Sequence, residues 1–239
     1  MLTGTIQVCD GTMIMFVFTV GLLALLPGSF SSGKFVNIST TNPTIRTQIV
    51  NKHNTLRRGV QPTASNMLKM SWNGQAEDNA QSWANTCAMD HTSGCGENLY
   101  MSSSPNSWDD AVQSWYDEVK DYRYGYGSVN GGVIGHYTQV VWYRSNKVGC
   151  GVAYCPNSEY NYFYVCQYCP PGNFQYDHPY ESGPTCGDCP NACNNKLCNN
   201  PCQYLDKYSN CASLKSQWGC SGDIGEWCPA SCKCVDKIM

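Results

Sequence analysis

The sequence has no basic stripe and little charge of either sign. Acids and bases make up 14% of its 239 residues, and the formal net charge is −3. Nucleic acid needs clustered Lys and Arg to meet its phosphates, so it is excluded as a partner, and electrostatic docking on acidic lipid is equally unsupported. Also missing is an apolar run long enough to cross a bilayer, which takes about 20 residues. There is no nucleophile-elbow motif and no internal repeat. The glycine-rich stretch from Gly125 to Gly135 lacks the strand-loop-helix setting of a phosphate cradle and is expected to be a flexible exposed loop. Large aliphatic side chains are scarce after Cys186, so that segment cannot hold itself together by burying a core.

What the tail has instead is sulfur. Ten of the chain's 17 cysteines fall between Cys186 and Cys234. Six more, Cys87, Cys95, Cys150, Cys155, Cys166 and Cys169, are spread over a long middle region, and only Cys9 precedes both groups. Removing Cys9 leaves an even number, as full pairing requires, and such density is the mark of an oxidising, extracellular compartment. Structural zinc is the competing reading. Cys166-x-x-Cys169 and Cys186-x-x-Cys189 have the spacing, but zinc there leaves the other twelve cysteines unexplained.

Met13 to Leu26 is a short apolar run followed by Pro27 and small residues, which suits a signal-peptide core with its cleavage zone, although no Lys or Arg precedes it. Residues 1–33 are therefore expected to be a signal peptide, the mature chain to be secreted with no transmembrane segment, and Cys9 to be lost on cleavage. Asn37-Ile38-Ser39 is an N-glycosylation acceptor near the new N-terminus.

Three helices are legible. Pro43 to Arg58 places Ile45, Ile49, His53 and Leu56 on one face, with Gly59 as the stop. Asn73 caps a second with Ala76, Ala80, Trp83, Ala84 and Cys87 on its stripe. Ser107 caps a third, with Asp109 and Asp110 in its first turn and a stripe from Trp108 to Val119. Val148–Cys155 and Tyr160–Tyr168 alternate as strands around a Pro156-Asn157-Ser158 turn, and Met67–Trp72 is a shorter candidate. Helices around an antiparallel hairpin give an α+β class.

Four motifs then point to a family. Gly135-His136-Tyr137-Thr138-Gln139-Val140-Val141-Trp142 and Tyr164-Val165-Cys166-Gln167-Tyr168-Cys169-Pro170-Pro171-Gly172-Asn173-Phe174 resemble the two signatures of the CAP superfamily of secreted proteins. His53-Asn54-Thr55-Leu56-Arg57 and Gly96-Glu97-Asn98-Leu99-Tyr100 match two further motifs of that family. The tail resembles the cysteine-rich domain of cysteine-rich secretory proteins, with a final unit similar to sea-anemone-toxin-like modules. The resemblance implies an α-β-α sandwich over residues 34–172, a cross-linked hinge over 173–201 and a toxin-like module over 202–239, with HYTQVVW partly helical despite its strand-like composition. It also implies the pairings Cys87–Cys155, Cys95–Cys169, Cys150–Cys166, Cys186–Cys193, Cys189–Cys198, Cys202–Cys234, Cys211–Cys228 and Cys220–Cys232.

The same resemblance assigns His91, Glu97, Glu118 and His136 to one cleft. Two imidazoles with carboxylates suit zinc or another divalent cation, not one essential for folding, and they equally suit a metal-free polar network that braces the cleft. Only Thr92, Ser93 and Gly94 separate His91 from Cys95, fewer than in relatives, which draws His91 away from the others. Every mature cysteine is accounted for by pairing, so no thiolate remains as a nucleophile. The expected role is binding rather than catalysis, with a metal-dependent hydrolase using Glu97 or Glu118 as the remote alternative. Tyr204, Tyr208, Trp218 and Trp227 exceed what the small tail can bury and are the candidate partner-binding residues for an ion channel or cell-surface receptor. A Lys beside an aromatic, as in potassium-channel-blocking toxins, is absent from Ser221–Trp227. A sterol or lipid carrier using Tyr160, Tyr162 and Tyr164 is the other reading, although that strand face is also what a helix would cover. A monomer is expected, in a reproductive, venom or defence setting.

Overall fold

The computed structural model describes residues 37–239. The expected signal peptide and Cys9 lie outside them. Helix α1 (Pro43–Arg58) starts where Asn42 accepts a hydrogen bond from the Thr44 amide at 2.9 Å, with Pro43 in its first turn, as the composition foretells. Helix α2 (Gly74–Ala84) is capped by Asn73, and α3 (Trp108–Tyr116) by a reciprocal Ser107–Asp110 capping box. Strands β1 (Ser71–Trp72), β2 (Gly96–Ser102), β5 (Lys147–Tyr154) and β6 (Tyr162–Cys169) form one sheet in the order β1-β5-β6-β2. The β5–β6 hairpin is antiparallel, β2 runs antiparallel along β6, and β1 joins β5 in parallel. Two short strands, β3 (Tyr122–Arg123) and β4 (Gly127–Ser128), pair ahead of helix α4 (Gly135–Val140).

The sheet is covered on both faces. Ala76, Ala80 and Ala84 of α2 are buried against a hairpin face that carries Gly149 and Gly151. A β-carbon at either glycine would collide with the α2 backbone, at Glu77 and Gln81 respectively, so helix and sheet touch backbone to backbone at those two points, beside a cluster of Ala153, Phe163, Val165 and Leu99. The opposite face bears Val148, Cys150, Val152, Tyr164, Cys166 and Tyr168, which form the main core with Ile49, Trp108, Val112, Tyr137 and Val140. This is the α-β-α sandwich the resemblance implies, and HYTQVVW is helical in its first part.

Three elements differ from the sequence reading. The third helix stops at Tyr116 and tightens into a 3-10 turn over Asp117–Asp121, a common way for a helix to end, which takes Val119 out of the α-helix. The Met67–Trp72 strand shrinks to two residues because the chain before it is claimed elsewhere. Ser65 N–H donates to Glu181 O, Cys198 N–H to Met67 O, and Lys69 N–H to Cys198 O. Strand β2 is absent from the sequence reading because it has no clean alternation, side chains on both of its faces being partly buried.

Beyond the sheet, residues 63–65 pair with the chain at 181–188, and a hairpin of β7 (Cys193–Asn194) and β8 (Leu197–Cys198) lies along residues 67–69. Leu197 and Tyr180 are buried in the main core, so the hinge is anchored on the sandwich. The last unit has three short helices, α5 (Cys211–Trp218), α6 (Asp223–Trp227) and α7 (Pro229–Lys233). Asp206 accepts from the Ala230 and Ser231 amides at 2.8 and 3.0 Å, capping α7. All eight disulfides have the implied partners.

One buried cation ties these parts together. Arg57, 1% exposed, uses all five of its N–H donors on main-chain carbonyls: Leu68 twice, and Val140, Trp142 and Tyr143, at 2.7–3.1 Å. Burial pulls its pKa down to about 9, which leaves it charged at neutral pH. Arg57→Ala strands those carbonyls and opens a cavity. The expected loss is about 4 kcal/mol of unfolding free energy, read by denaturant melting with disulfides intact. A loss under about 1 kcal/mol would mean that water replaces the guanidinium at little cost.

Candidate functional site

The His-Asn-x-x-Arg motif is built into the core. His53 and Asn54, one turn before Arg57, are buried. Asn54 donates to Met70 O at 2.9 Å and accepts from Met70 N–H at 2.8 Å, pinning the chain just before β1. His53 Nδ1 lies 2.8 Å from Ile49 O, so Nδ1 carries the proton and Nε2 accepts from the Tyr168 hydroxyl at 2.9 Å. Asn98 Nδ2 donates to His136 O at 3.1 Å and reaches the Tyr168 oxygen at 3.4 Å. A continuous polar chain therefore runs from α1 through the sheet to the start of α4.

At that start, Glu118 is fully engaged. Its Oε1 is 2.6 Å from His136 Nδ1, and its Oε2 accepts from the His136 and Tyr137 amides at 2.9 and 3.1 Å. The carboxylate caps α4 and orients the imidazole in one act. The 3-10 turn is what brings Glu118 there, since its side chain leaves a tightened turn and not the edge of a continuing helix.

His91 and Glu97 form a second pair, with Nδ1 to Oε1 at 3.0 Å. Glu97 also accepts from Thr92 Oγ1 at 2.9 Å and Gln167 Nε2 at 3.2 Å. Successive strand residues point to opposite faces. Asn98 reaches His136, and Glu97 turns instead to Gln167, its cross-strand partner, and to the Thr92–Gly94 loop. The structure thus arranges the four residues as two His–Glu pairs. Among the described residues, no three His, Asp or Glu side chains bring one ligand atom each within 4.8 Å of one another.

Among the described residues, the one set of potential ligands from three side chains that does meet this spacing is Cys186, Cys189 and Cys198. All three are in disulfides, as are Cys166 and Cys169, so neither Cys-x-x-Cys segment has a thiolate for zinc.

The other expected residues are placed plainly. Tyr204, Tyr208, Trp218 and Trp227 are all exposed, with Trp218 at 69% and Trp227 meeting Tyr208 edge to face. Lys215 is committed to Ser231 O at 2.7 Å. A lysine–aromatic pair exists where the linear sequence hides it: the Lys233 ammonium sits 4.8 Å from the Tyr204 ring centroid, from residues 29 apart in the chain. Tyr162 and Tyr164 are buried, the latter against Trp108, so their strand face is core under α3 and not an open groove. Asn37 is exposed. Tyr126 and Tyr176, not singled out by the sequence, line a shallow cavity of about 590 Å³ with Val133, Ile134 and Asp177 beside the start of α4. An aromatic in a glycine-rich loop is the signal that marks Tyr126, and nothing local marks Tyr176.

Comparison with known proteins agrees with this architecture. Residues 50–168 match the family model described as CAP, cysteine-rich secretory protein family, and residues 186–239 match that described as Crisp. The chain is 49% identical to cysteine-rich venom protein helothermine of Heloderma horridum horridum, over 95% of this chain and 100% of that one. It is also 49% identical to cysteine-rich secretory protein 2 of Homo sapiens, over 94% and 98%. Among solved structures, that of NaASP2 with Zn2+ superposes with a TM-score of 0.58 at 30% identity, covering 66% of this chain and 96% of that one. The fold is thus a CAP sandwich with a cysteine-rich tail. The chain belongs to the cysteine-rich secretory protein family.

Buried His53 gives the motif a pH signature. Burial, with Arg57 nearby, pulls its pKa down to about 4, against the bond to Ile49 O which raises it. The unfolded chain, near 6.5, then binds the proton more tightly, so the stabilisation is complete above pH 6.5 and is lost as pH falls towards 4. The expected loss across that window is about 3 kcal/mol. His53→Gln, measured by melting temperature from pH 7 to pH 4, should flatten the slope. An unchanged slope would assign it to other groups.

Proposed function

We propose that this is a secreted, non-enzymatic binding protein whose cysteine-rich tail modulates an ion channel or cell-surface receptor. The observation that carries this reading is the exposure of Tyr204, Tyr208, Trp218 and Trp227 on one small, cross-linked unit. Large aromatics kept in water lose the stabilisation that burial would give, and they recur at the centres of protein interfaces. Three disulfides, Cys202–Cys234, Cys211–Cys228 and Cys220–Cys232, hold the unit, so its side chains are free for recognition. The Lys233–Tyr204 pair adds a cation beside an aromatic on the same unit. Family membership and the disulfide density support secretion. Binding rather than turnover is supported by Glu118, whose oxygens are both occupied by the α4 cap and the imidazole and are poorly placed to act as a general base.

The test is electrophysiology with the full-length protein on calcium, potassium and ryanodine-type channels. Trp218→Ala should raise the half-maximal concentration about tenfold or more. A wild type inert on all of them, or an equally potent variant, would refute the channel reading.

A divalent cation at His136 is a second part of the proposal. Glu118 holds Nδ1, and Nε2 has no hydrogen-bond partner among the described residues, which is the carboxylate–histidine arrangement that suits a metal ligand. His91 is oriented by Glu97 in the same way. Calorimetric titration of chelator-treated protein with zinc should show binding that His136→Ala abolishes. Equal affinity in that variant rejects the site, and a matching loss in His91→Ala would make the ion shared by both imidazoles.

A further inference from the structure

The hinge carries two disulfides, Cys186–Cys193 and Cys189–Cys198, whose sulfurs form one cluster. The Sγ atoms of Cys186, Cys189 and Cys198 lie within 4.8 Å of one another, and the fourth, on Cys193, is bonded to the first. Three of these cysteines are buried under Leu68 and Ile238, and Cys193 is exposed. Close disulfides need not be able to exchange. Here the backbone also places the alternative partners together.

Cys186-Gly187-Asp188-Cys189 is a Cys-x-x-Cys segment, and in such segments a disulfide forms between neighbours on a tight turn. The Gly187 and Cys189 amides fold back on Pro184 O and Cys186 O at 2.8 and 3.0 Å. Cys193 and Cys198 are direct cross-strand partners in the β7–β8 ladder. Their register is fixed by a two-residue turn at Asn195 and Lys196, both with positive φ, of 50° and 66°. Asn194 pairs with Leu197 next to the turn, and Asn199 N–H donates to Ala192 O at 3.0 Å on the far side. Cys193 and Cys198 therefore occupy the intervening non-hydrogen-bonded position, where Cα atoms are about 4.5 Å apart and both side chains leave the same face. That spacing is within the range a disulfide spans.

From this geometry we infer that the hinge is a site of thiol–disulfide exchange with two connectivities, entered by an external low-molecular-weight thiol at Cys193. The thiolate attacks Cys193 Sγ, the Cys186–Cys193 bond breaks, and its electron pair leaves on Cys186. The Cys186 thiolate attacks Cys189 Sγ, forming Cys186–Cys189 and releasing Cys198 as thiolate. Cys198 then attacks Cys193 Sγ, forming Cys193–Cys198 and expelling the original thiol. Nothing is oxidised or reduced overall, and the thiol is returned. In the second connectivity, β8 is no longer cross-linked to Cys189, and the 186–189 segment is no longer tied to the hairpin. The inference is independent of which receptor the tail binds.

The experiment treats the full-length protein with reduced glutathione, alkylates it under native conditions, and maps it by mass spectrometry after cleavage at Asp188 and Lys196. The expected intermediate has glutathione on Cys193, the alkyl label on Cys198, and Cys186 linked to Cys189. Label confined to Cys186, with Cys189 still bound to Cys198, would overturn the exchange, as would glutathione first appearing on any other cysteine. Cys193→Ser reproduces the first step without glutathione. Its native label should divide in comparable amounts between Cys186 and Cys198, and label on Cys186 alone would overturn the proposal a second way.

Discussion

A positive charge with no carboxylate beside it holds this molecule in register. Arg57 reaches two stretches of main chain far apart in sequence: Leu68, and the end of α4 at Val140 with Trp142 and Tyr143 just beyond it. The bond to Val140 places a cation where the dipole of α4 is negative. Desolvating a guanidinium costs several kcal/mol, and only a full set of acceptors offsets it. His136 sits where it does because α4 is held at its far end by Arg57 and at its near end by Glu118. The hinge sits where it does because the 63–69 segment it lies along is fixed through Leu68 and, by Asn54, through Met70.

Much of this was legible. Caps at Asn42, Asn73 and Ser107 are local chemistry, readable from a few residues. The β5–β6 hairpin announces itself by alternation and a turn. The strand β2 does not, because both its faces are occupied: Asn98 serves the polar chain to His136, and Glu97 serves the Thr92 loop. Neither residue is apolar, so periodicity is silent. The first part of HYTQVVW is a helix against its β-branched composition, since tertiary contacts at both ends outweigh propensity.

The candidate site was legible in part. Motifs supplied the His and Glu residues but not their pairing, since Glu118 meets His136 across 18 residues by way of the 3-10 turn. What spacing could not supply was strand direction, which turns Glu97 away from the residue next to it. The Lys233–Tyr204 pair was hidden for a similar reason. It depends on the Cys202–Cys234 bridge folding the end of the chain back to its module's beginning. Scanning one loop for a lysine cannot find a partner from another.

The two faces of the sheet are not equivalent. At Gly149 and Gly151, α2 rests on bare backbone, so at those two points no rotamer can take up a change of fit. They set the distance between α2 and the hairpin, and Phe163, Val165 and Leu99 pack around them. Any side chain larger than hydrogen at either point would lever the helix off the sheet and unpack that cluster with it.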